Sequence, residues 1–279
     1  MIEGEFMNEP FIQKEKEYFT IPDWTQLDPY LVVGFTTKIG GFSKEEYSTL
    51  NMGFHVGDQL EDVKSNRLYL AEKLNVPIHQ WVGAKQIHHN VVAMITDQNC
   101  NMGATDYESA LEGIDGMITD HKEILLTLCF ADCVPIYFFA PKSHVVGIAH
   151  AGWKGTVLQI SKEMIRSFSH KGVSRSEIEV VIGPSICRSC YIVDDRVIKE
   201  VDKLINNQKT NVYDKISKGQ YALDLKALNY ELLIQEGIPK ENIKISSLCT
   251  SCQSSFFYSH RRDNGKTGRM MAFIGWKGE

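Results

Sequence analysis

The stretch in the middle of the chain constrains the fold more than any other. It contains two apolar runs of strand character, Ile124–Phe130 and Val145–Ala149, and each is followed by residues that can bind a metal. The first run leads to Asp132 and Cys133, and the second ends at His150, before glycines and a predicted helix. Open α/β sheets place their ligand sites where a strand end meets a glycine turn and a helix N-terminus. The stretch therefore predicts an α/β sheet in which two neighbouring strand ends deliver a thiol and an imidazole.

Strands and helices alternate along the rest of the chain, which favours a single mixed α/β domain. The predicted strands are Tyr18–Trp24, Leu31–Thr37, Trp81–Ile95, Gly113–Thr119, Ile178–Ile182, Ile243–Leu248 and Met270–Trp276. The predicted helices are Asp62–Leu74, Thr156–Ser169, Asp194–Asn206 and Leu223–Gln235. The domain is predicted to cover residues 18–279, after an N-terminal extension of residues 1–17. We interpret residues 1–6 as a candidate cloning remnant, with the natural start at Met7.

Composition narrows the class of function. A net charge of −5 without a basic block gives no electrostatic footprint for nucleic acid. The negative net charge does not exclude a small anionic ligand, because a local cluster of arginines can make one site positive. No apolar run approaches the roughly 20 residues that span a bilayer, and the N-terminus lacks the pattern of a signal peptide. We therefore expect a cytoplasmic protein, whose seven cysteines are thiols or metal ligands rather than disulfides.

The first candidate site combines His88 with Cys133 and His150. His88 and His89 lie in a predicted strand and would point to opposite faces, so at most one of them belongs to the site. Two imidazoles and one thiolate suit Zn²⁺ and leave a position open for catalysis, whereas the soft thiolate also admits copper. The same residue types fit a metal-free thiol hydrolase with Cys133 as nucleophile and His150 as base, or an inert buried thiol.

Two further clusters carry candidate chemistry. One is a pair of Cys-x-x-Cys motifs, Cys187 with Cys190 and Cys249 with Cys252, which would form either a closed structural zinc site or ordinary core thiols. The gap between the two motifs exceeds that of a zinc ribbon. The other is a basic cluster near the C-terminus, which would grip phosphate in a bidentate way or form a structural ion pair with Asp263. Its members are Arg261, Arg262 and Arg269.

Seven short motifs, in order from about residue 18 to the end, resemble those of the YlmD/YfiH family, relatives of the human laccase-domain protein. They are Phe-Thr-Thr-Lys-x-Gly-Gly at 35–41, Leu-Asn-Met-Gly at 50–53, Ala-Asp-Cys-Val-Pro-Ile at 131–136, His-Ala-Gly-Trp-Lys-Gly-Thr at 150–156, Gly-Pro-Ser-Ile at 183–186, Phe-Phe-Tyr-Ser-His-Arg-Arg-Asp at 256–263 and Thr-Gly-Arg at 267–269. The resemblance implies mixed sheets with flanking helices. Lys38, Cys187 and His89 depart from the family's usual Arg, Gly and Gly.

The resemblance also implies a function and a site. The family is described as purine nucleoside phosphorylases that also deaminate adenosine and phosphorolyse methylthioadenosine, and it carries an older label of copper polyphenol oxidase. The family's His-Cys-His metal site corresponds to His88, Cys133 and His150. The resemblance therefore favours His88 over His89 as the third ligand. Asp132 is expected to orient a ligand or to act in catalysis. Substrate contacts are expected from Asn51, Arg67, Arg261, Arg262 and Arg269.

The preferred interpretation is a zinc enzyme that binds a purine nucleoside and inorganic phosphate as its substrates. We expect no nucleic-acid or membrane partner, and a monomer or weak homo-oligomer. A copper oxidase would instead be coloured and redox-active. A thiol hydrolase would be inhibited by iodoacetamide but not by chelators, and a non-enzymatic binding protein would show no turnover.

Overall fold

The computed structural model describes residues 9–205 and 211–278. Its strands, in chain order, are β1 (Ile12–Glu15), β2 (Tyr18–Thr20), β3 (Leu31–Thr36), β4 (Trp81–Lys85), β5 (Val92–Met94), β6 (Leu111–Glu112), β7 (Gly116–Thr119), β8 (Leu125–Phe130), β9 (Val134–Ala140), β10 (Val145–Ala151), β11 (Glu179–Ile182), β12 (Ile192–Val193), β13 (Tyr213–Ser217), β14 (Gln220–Leu223), β15 (Ile243–Ile245) and β16 (Met270–Trp276). Its α-helices are α1 (Pro22–Leu27), α2 (Leu60–Leu74), α3 (Trp153–Val157), α4 (Ile160–His170), α5 (Asp195–Ile205) and α6 (Leu225–Gln235).

Three sheets organise these elements. The first has the order β1-β2-β3-β16-β8-β4-β6, the second β15-β11-β9-β10-β7-β5, and the third, smaller one β12-β14-β13. The first two sheets are mixed, since β8 pairs parallel to β4 and β11 parallel to β15, while β9 and β10 form an antiparallel hairpin. The predicted class, a single mixed α/β domain with helices flanking its sheets, is confirmed.

The two large sheets pack face to face, and helices cover their outer faces. Along β9, Ile136 and Phe138 belong to the core beneath α4 and α6, whereas Tyr137 and Phe139 belong to the core between the sheets. Successive side chains of a strand point to opposite faces, so both faces of β9 are buried. This explains why β9 is continuously apolar rather than alternating. The opposite face of the first sheet packs against α2 through residues such as Leu70.

The central stretch holds one more strand than the sequence predicts. The two apolar runs, β8 and β10, lie in different sheets, and β9 between them was missed. The true neighbours are β9 and β10, in which His150 stands opposite Pro135. The thiol and the imidazole still come from neighbouring strands, because Cys133 immediately precedes β9. Pro135 inside the strand is the feature that hides β9 from a propensity argument.

Two predicted elements are divided in the structure. The strand expected over Trp81–Ile95 is interrupted by a loop at residues 86–91, so β4 and β5 join different sheets. The helix expected over Thr156–Ser169 is two helices, α3 and α4, separated at Gln159, whose φ of 61° breaks the helical path. Neither break has a glycine or proline to signal it.

The N-terminal predictions also need correction. The strand expected over Tyr18–Trp24 ends at Thr20, and α1 begins at Pro22, a position that suits proline because its missing N–H would be unpaired there anyway. Within the predicted extension, Phe11 is buried and β1 pairs with β2. Residues 1–8, with the candidate cloning remnant, and Asn206 at the end of the predicted third helix lie outside the described residues.

The remaining predicted elements are present, although the strands expected over Gly113–Thr119 and Ile243–Leu248 are shorter in the structure, as β7 and β15. α2 and β16 cover the predicted Asp62–Leu74 and Met270–Trp276, and β16 sits in the middle of the first sheet. In the parts of the chain that the structure describes, no helix combines the length and apolarity needed to cross a membrane.

Candidate metal centre and cleft

Three side chains from separate parts of the chain converge at one end of the strands of the second sheet. His88 lies in the loop after β4, Cys133 immediately precedes β9, and His150 lies near the end of β10. One ligand atom of each lies within 4.8 Å of the ligand atoms of the other two. The imidazole rings of His88 and His150 meet edge to face, with 4.7 Å between their centroids. The structure thus brings together all three residues of the first candidate site and leaves His89 outside it.

Asp115, just before β7, holds two of these three residues in place. Its Oδ1 accepts the Nδ1–H of His150 at 2.8 Å and the backbone N–H of His88 at 3.0 Å. Its Oδ2 accepts the backbone N–H groups of Ile87 at 3.1 Å and His89 at 2.8 Å. A carboxylate only accepts hydrogen bonds, so the proton sits on Nδ1 of His150 and Nε2 is the nitrogen left for a metal. Fully buried Asp115 therefore fixes both the tautomer and the loop.

The electrostatics of the centre favour a thiolate. Burial alone would raise the pKa of Cys133, but the positive charge of His150 and hydrogen bonds from both histidines lower it to about 6. Burial disfavours the charged form of His150, yet the Cys133 thiolate and the Asp115 carboxylate raise its pKa to about 9. Burial would also raise the pKa of Asp115, and its hydrogen bond and charge pairing with His150 hold it below its usual value.

Gly152 makes room for the converging ligands. A Cβ at this position would stand 2.9 Å from Cys133 Sγ, closer than real side-chain contacts come, and 3.1 Å from His88 Cδ2, which is tighter than most of them. The backbone of Gly152 is extended and caps α3, so the need here is for space rather than for an unusual conformation. The glycine of the His-Ala-Gly-Trp motif is thereby explained by the centre that it borders.

The donor set fits a metal ion. Zn²⁺ prefers imidazole nitrogen and thiolate sulfur, and a catalytic zinc site takes three protein ligands and keeps one position for water or substrate. Cys133 is acidic enough to ligate as thiolate at neutral pH. The carboxylate behind His150 is the usual orienting partner of a metal-binding histidine. His88, Cys133 and His150 are therefore suited to hold a divalent ion.

The centre opens into a cleft of about 330 Å³. Its walls are formed by His55, Gln86, His88, Cys129, Ala131, Asp132, Cys133, His150, Tyr191, His260, Arg261 and Arg269. Larger depressions of about 390, 490 and 680 Å³ lie elsewhere on the described surface, and none of the three includes a candidate metal group. Chemistry rather than size therefore makes this cleft the candidate site.

The predicted arginines divide into two classes. Arg261 and Arg269 line the cleft, and within the described residues only Nη1 of each guanidinium is hydrogen-bonded to the protein. All three guanidinium nitrogens of Arg262 donate hydrogen bonds, to the carboxylate of Asp263 and to the backbone carbonyls of residues 250, 251 and 257. Arg67 is buried and donates to the carbonyls of 52, 103 and 104. The structure therefore places Arg261 and Arg269 at the cleft, whereas the donors of Arg262 and Arg67 hold neighbouring segments of the fold together.

Asp132 and Asn51 act on these arginines through the backbone. Asp132 accepts hydrogen bonds from the hydroxyls of Thr250 (2.7 Å) and Ser259 (3.0 Å) and from the backbone N–H of Arg261 at 2.7 Å. Asn51 is fully buried, and its Oδ1 accepts the backbone N–H of Arg269 at 2.8 Å. Asp132 borders the cleft, whereas Asn51 lies behind it. Both residues position an arginine next to the metal centre.

The sequence reasoning missed four residues of the site, namely Asp115, His55, Tyr191 and His260. Asp115 carries the one usable signal, a carboxylate between glycines at the start of an apolar strand. His55 is exposed as a residue, yet desolvation by the atoms packed around its imidazole and the charges of Arg269 and Arg67 lower its pKa to about 4. It is therefore neutral at pH 7. The side chain of Gln86 also holds the backbone of Cys129, since its Oε1 accepts the Cys129 N–H at 2.8 Å and its Nε2 donates to the Cys129 carbonyl at 3.0 Å.

The chain resembles characterised proteins over nearly its whole length. A family model described as multi-copper polyphenol oxidoreductase laccase matches residues 32–277. The chain is 46% identical over 272 residues to purine nucleoside phosphorylase YlmD of Bacillus subtilis, covering 96% of this chain and 98% of that protein. It is also 46% identical over 249 residues to a protein of the same name from Geobacillus stearothermophilus, with coverages of 89% and 91%.

Solved structures agree with the sequence comparison. YlmD from Geobacillus stearothermophilus superposes with a TM-score of 0.93 at 43% identity, covering 97% of this chain and 100% of that one. The hypothetical protein YfiH of Bacillus licheniformis also gives 0.93, at 45% identity, with coverages of 96% and 99%.

Proposed function

Because the chain belongs to this laccase-like family, as its motifs predict, we propose that it is a metal-dependent purine nucleoside phosphorylase. Its substrates would be inorganic phosphate and adenosine, inosine or methylthioadenosine, with deamination of adenosine as a second activity. One observation carries the proposal beyond the relatives' names. A centre suited to a divalent ion and two arginines with unused donors face the same cleft. Phosphorolysis needs both an anion site and a means to activate the purine.

The arginines would hold the attacking phosphate. A guanidinium grips phosphate through two parallel N–H donors, and Nε and Nη2 of both Arg261 and Arg269 donate to no described protein group. Arg261 is steadied by Tyr191, whose ring centroid lies 5.0 Å from the guanidinium carbon. In the reaction, a phosphate oxygen forms a bond to the ribose anomeric carbon while the bond to the purine nitrogen breaks. The bonding pair leaves with the purine, which must be protonated or polarised.

The metal centre would supply that activation. Zn²⁺ at His88, Cys133 and His150 would provide Lewis acidity, toward the purine in phosphorolysis and toward water in deamination. Asp115 holds the Nδ1 proton of His150 and so keeps its other nitrogen directed to the ion. Neutral His55 lines the cleft and would hydrogen-bond the purine without adding positive charge. Asp132, which precedes Cys133 in the chain, accepts the backbone N–H of Arg261 and so anchors that arginine at the cleft.

The test is product analysis with protein whose zinc or copper content has been measured. Incubation with adenosine should release adenine only when phosphate is present, and any inosine would report deamination. Arg261→Ala should raise the KM for phosphate, whereas Arg166→Ala, an exposed arginine paired with Glu163, should leave it unchanged. Absence of phosphate-dependent adenine from zinc-loaded protein would refute phosphorolysis. Oxygen uptake with a phenol by copper-loaded protein would support the polyphenol oxidase alternative.

A further inference from the structure

A second group of metal-capable side chains lies outside the cleft. Cys187, Cys190, Cys249 and Cys252 each place a sulfur within 4.8 Å of the other three. All four are free thiols in the structure. We propose that they bind one structural Zn²⁺, separate from the centre at His150, which ties together the two loops that brace the cleft wall.

Sheet topology explains why the two Cys-x-x-Cys motifs meet despite their separation along the chain. Each motif follows one of two neighbouring parallel strands, β11 and β15, so both loops leave the same edge of the sheet. A β-bridge between Ser185 and Cys249 extends the pairing into the loops. The backbone N–H of Ser185 donates to the Leu248 carbonyl with an N···O distance of 3.4 Å, and that of Thr250 donates to the Ser185 carbonyl at 3.1 Å. The gap in sequence that argues against a zinc ribbon is therefore spanned by strand pairing.

The sulfur positions suit one tetrahedral ion. Four thiolates around Zn²⁺, at the usual Zn–S distance of about 2.3 Å, stand about 3.8 Å apart. The sulfurs of Cys187 and Cys252 are 3.9 Å apart, and those of Cys190 and Cys252 are 3.4 Å apart. These separations exceed the roughly 2.05 Å of a disulfide. An iron–sulfur cluster, with several iron atoms between the ligands, would need the sulfurs further apart.

Two backbone donors favour the thiolate form of Cys249. The backbone N–H groups of Cys187 and Cys252 donate to Cys249 Sγ at 3.3 and 3.4 Å, and donors of this kind stabilise the charged sulfur. Four thiolates and one Zn²⁺ keep a net negative charge. Buried Lys226 offsets part of it, since its ammonium donates to the carbonyls of Ser246 and Leu248 beside the second motif. Cys252 is exposed, so an ion can enter from solvent.

The cluster is linked to the cleft through Asp132. The N–H of Ile186, next to Cys187, donates to the Asp132 carbonyl at 3.1 Å, and the hydroxyl of Thr250, next to Cys249, donates to its carboxylate at 2.7 Å. A bound ion would hold both partners of Asp132 at a fixed separation. It would thereby stabilise the residue that precedes Cys133 without taking part in the reaction.

Zinc counting and zinc spectroscopy test the site. In His88→Ala/Cys133→Ser, which removes the first centre, we expect one zinc per chain and an X-ray absorption spectrum with four sulfur neighbours at about 2.3 Å. Wild-type protein should bind two zinc ions, Cys252→Ser should lose one of them, and Cys100→Ser, outside both groups, should keep both. A zinc-free double variant, nitrogen and oxygen neighbours, or a mass two hydrogens lower from a disulfide would overturn the proposal. None of these measurements depends on phosphorolysis.

Discussion

Asp115→Asn tests how the metal centre is held. The carboxylate accepts four hydrogen bonds, from the ring of His150 and from the backbone N–H groups of Ile87, His88 and His89. Asparagine keeps one oxygen and turns an NH₂ group toward the other donors, so two of the four lose their acceptor. Each unsatisfied buried donor costs about 1–3 kcal/mol, so the free energy of unfolding should fall by about 2–6 kcal/mol. Loss of such an orienting partner should also weaken metal affinity by about 10–100-fold.

The assay is urea unfolding of metal-free protein, together with zinc affinity measured by competition with a chromophoric chelator. Asp97→Asn is a matched control, because Asp97 forms the same kind of bond to His121 Nδ1 at 3.0 Å on the exposed surface. Exposed pairs contribute about 0–1 kcal/mol, so the control should keep nearly all its stability. If Asp115→Asn binds zinc as tightly as wild type does, Asp115 does not orient the ligands.

Three further predictions follow from local geometry and charge. Gly152→Ala should fold but lose most of its metal, because the new Cβ would collide with Cys133 Sγ at 2.9 Å, and metal content with circular dichroism checks this. Arg262→Ala should lower the melting temperature, whereas Arg261→Ala should raise the KM for phosphate with little change in melting temperature. In metal-free protein, iodoacetamide should alkylate Cys133 at a rate that rises with pH and levels off above about 6, since the thiolate forms above that pKa. Burial raises the pKa of Cys100, the internal control, so its alkylation should need alkaline pH.

Each of these predictions has a contradicting result. Full metal content in Gly152→Ala would mean that the ligands do not approach as closely as the structure places them. Equal effects of the two arginine changes on the KM for phosphate would remove the distinction between cleft and framework. Alkylation of Cys133 that begins only at alkaline pH, or that zinc does not slow, would argue against a thiolate at the centre.

How far the sequence predicts this fold depends on whether a signal is local. β16 and α2 are long, apolar at the right spacing and bounded by polar residues, so their positions follow from periodicity. The loop at residues 86–91 does not follow from periodicity, because it is held by the carboxylate of Asp115, more than twenty residues away in sequence. The reversal of φ to 63° at His88 likewise depends on that tertiary contact.

The site shows the same division. Residue chemistry suggests Cys133 and His150. Limiting the site to one of His88 and His89 depended on a predicted strand that the structure replaces with a loop, and the choice of His88 came from the family resemblance. The roles of Arg261 and Arg262, adjacent in sequence, are separated only by the hydrogen bonds that each one makes. Sequence shows that a guanidinium is present, whereas only packing shows whether its donors are already used.

The central claim is that a metal held by His88, Cys133 and His150 works with the cleft arginines to cleave purine nucleosides with phosphate. Phosphorus and proton NMR of zinc-loaded protein with adenosine and inorganic phosphate together measure this directly. The account predicts that ribose 1-phosphate accumulates in step with adenine and that Cys133→Ser forms neither. Free ribose in place of ribose 1-phosphate, or undiminished turnover by the zinc-free Cys133→Ser protein, would contradict it.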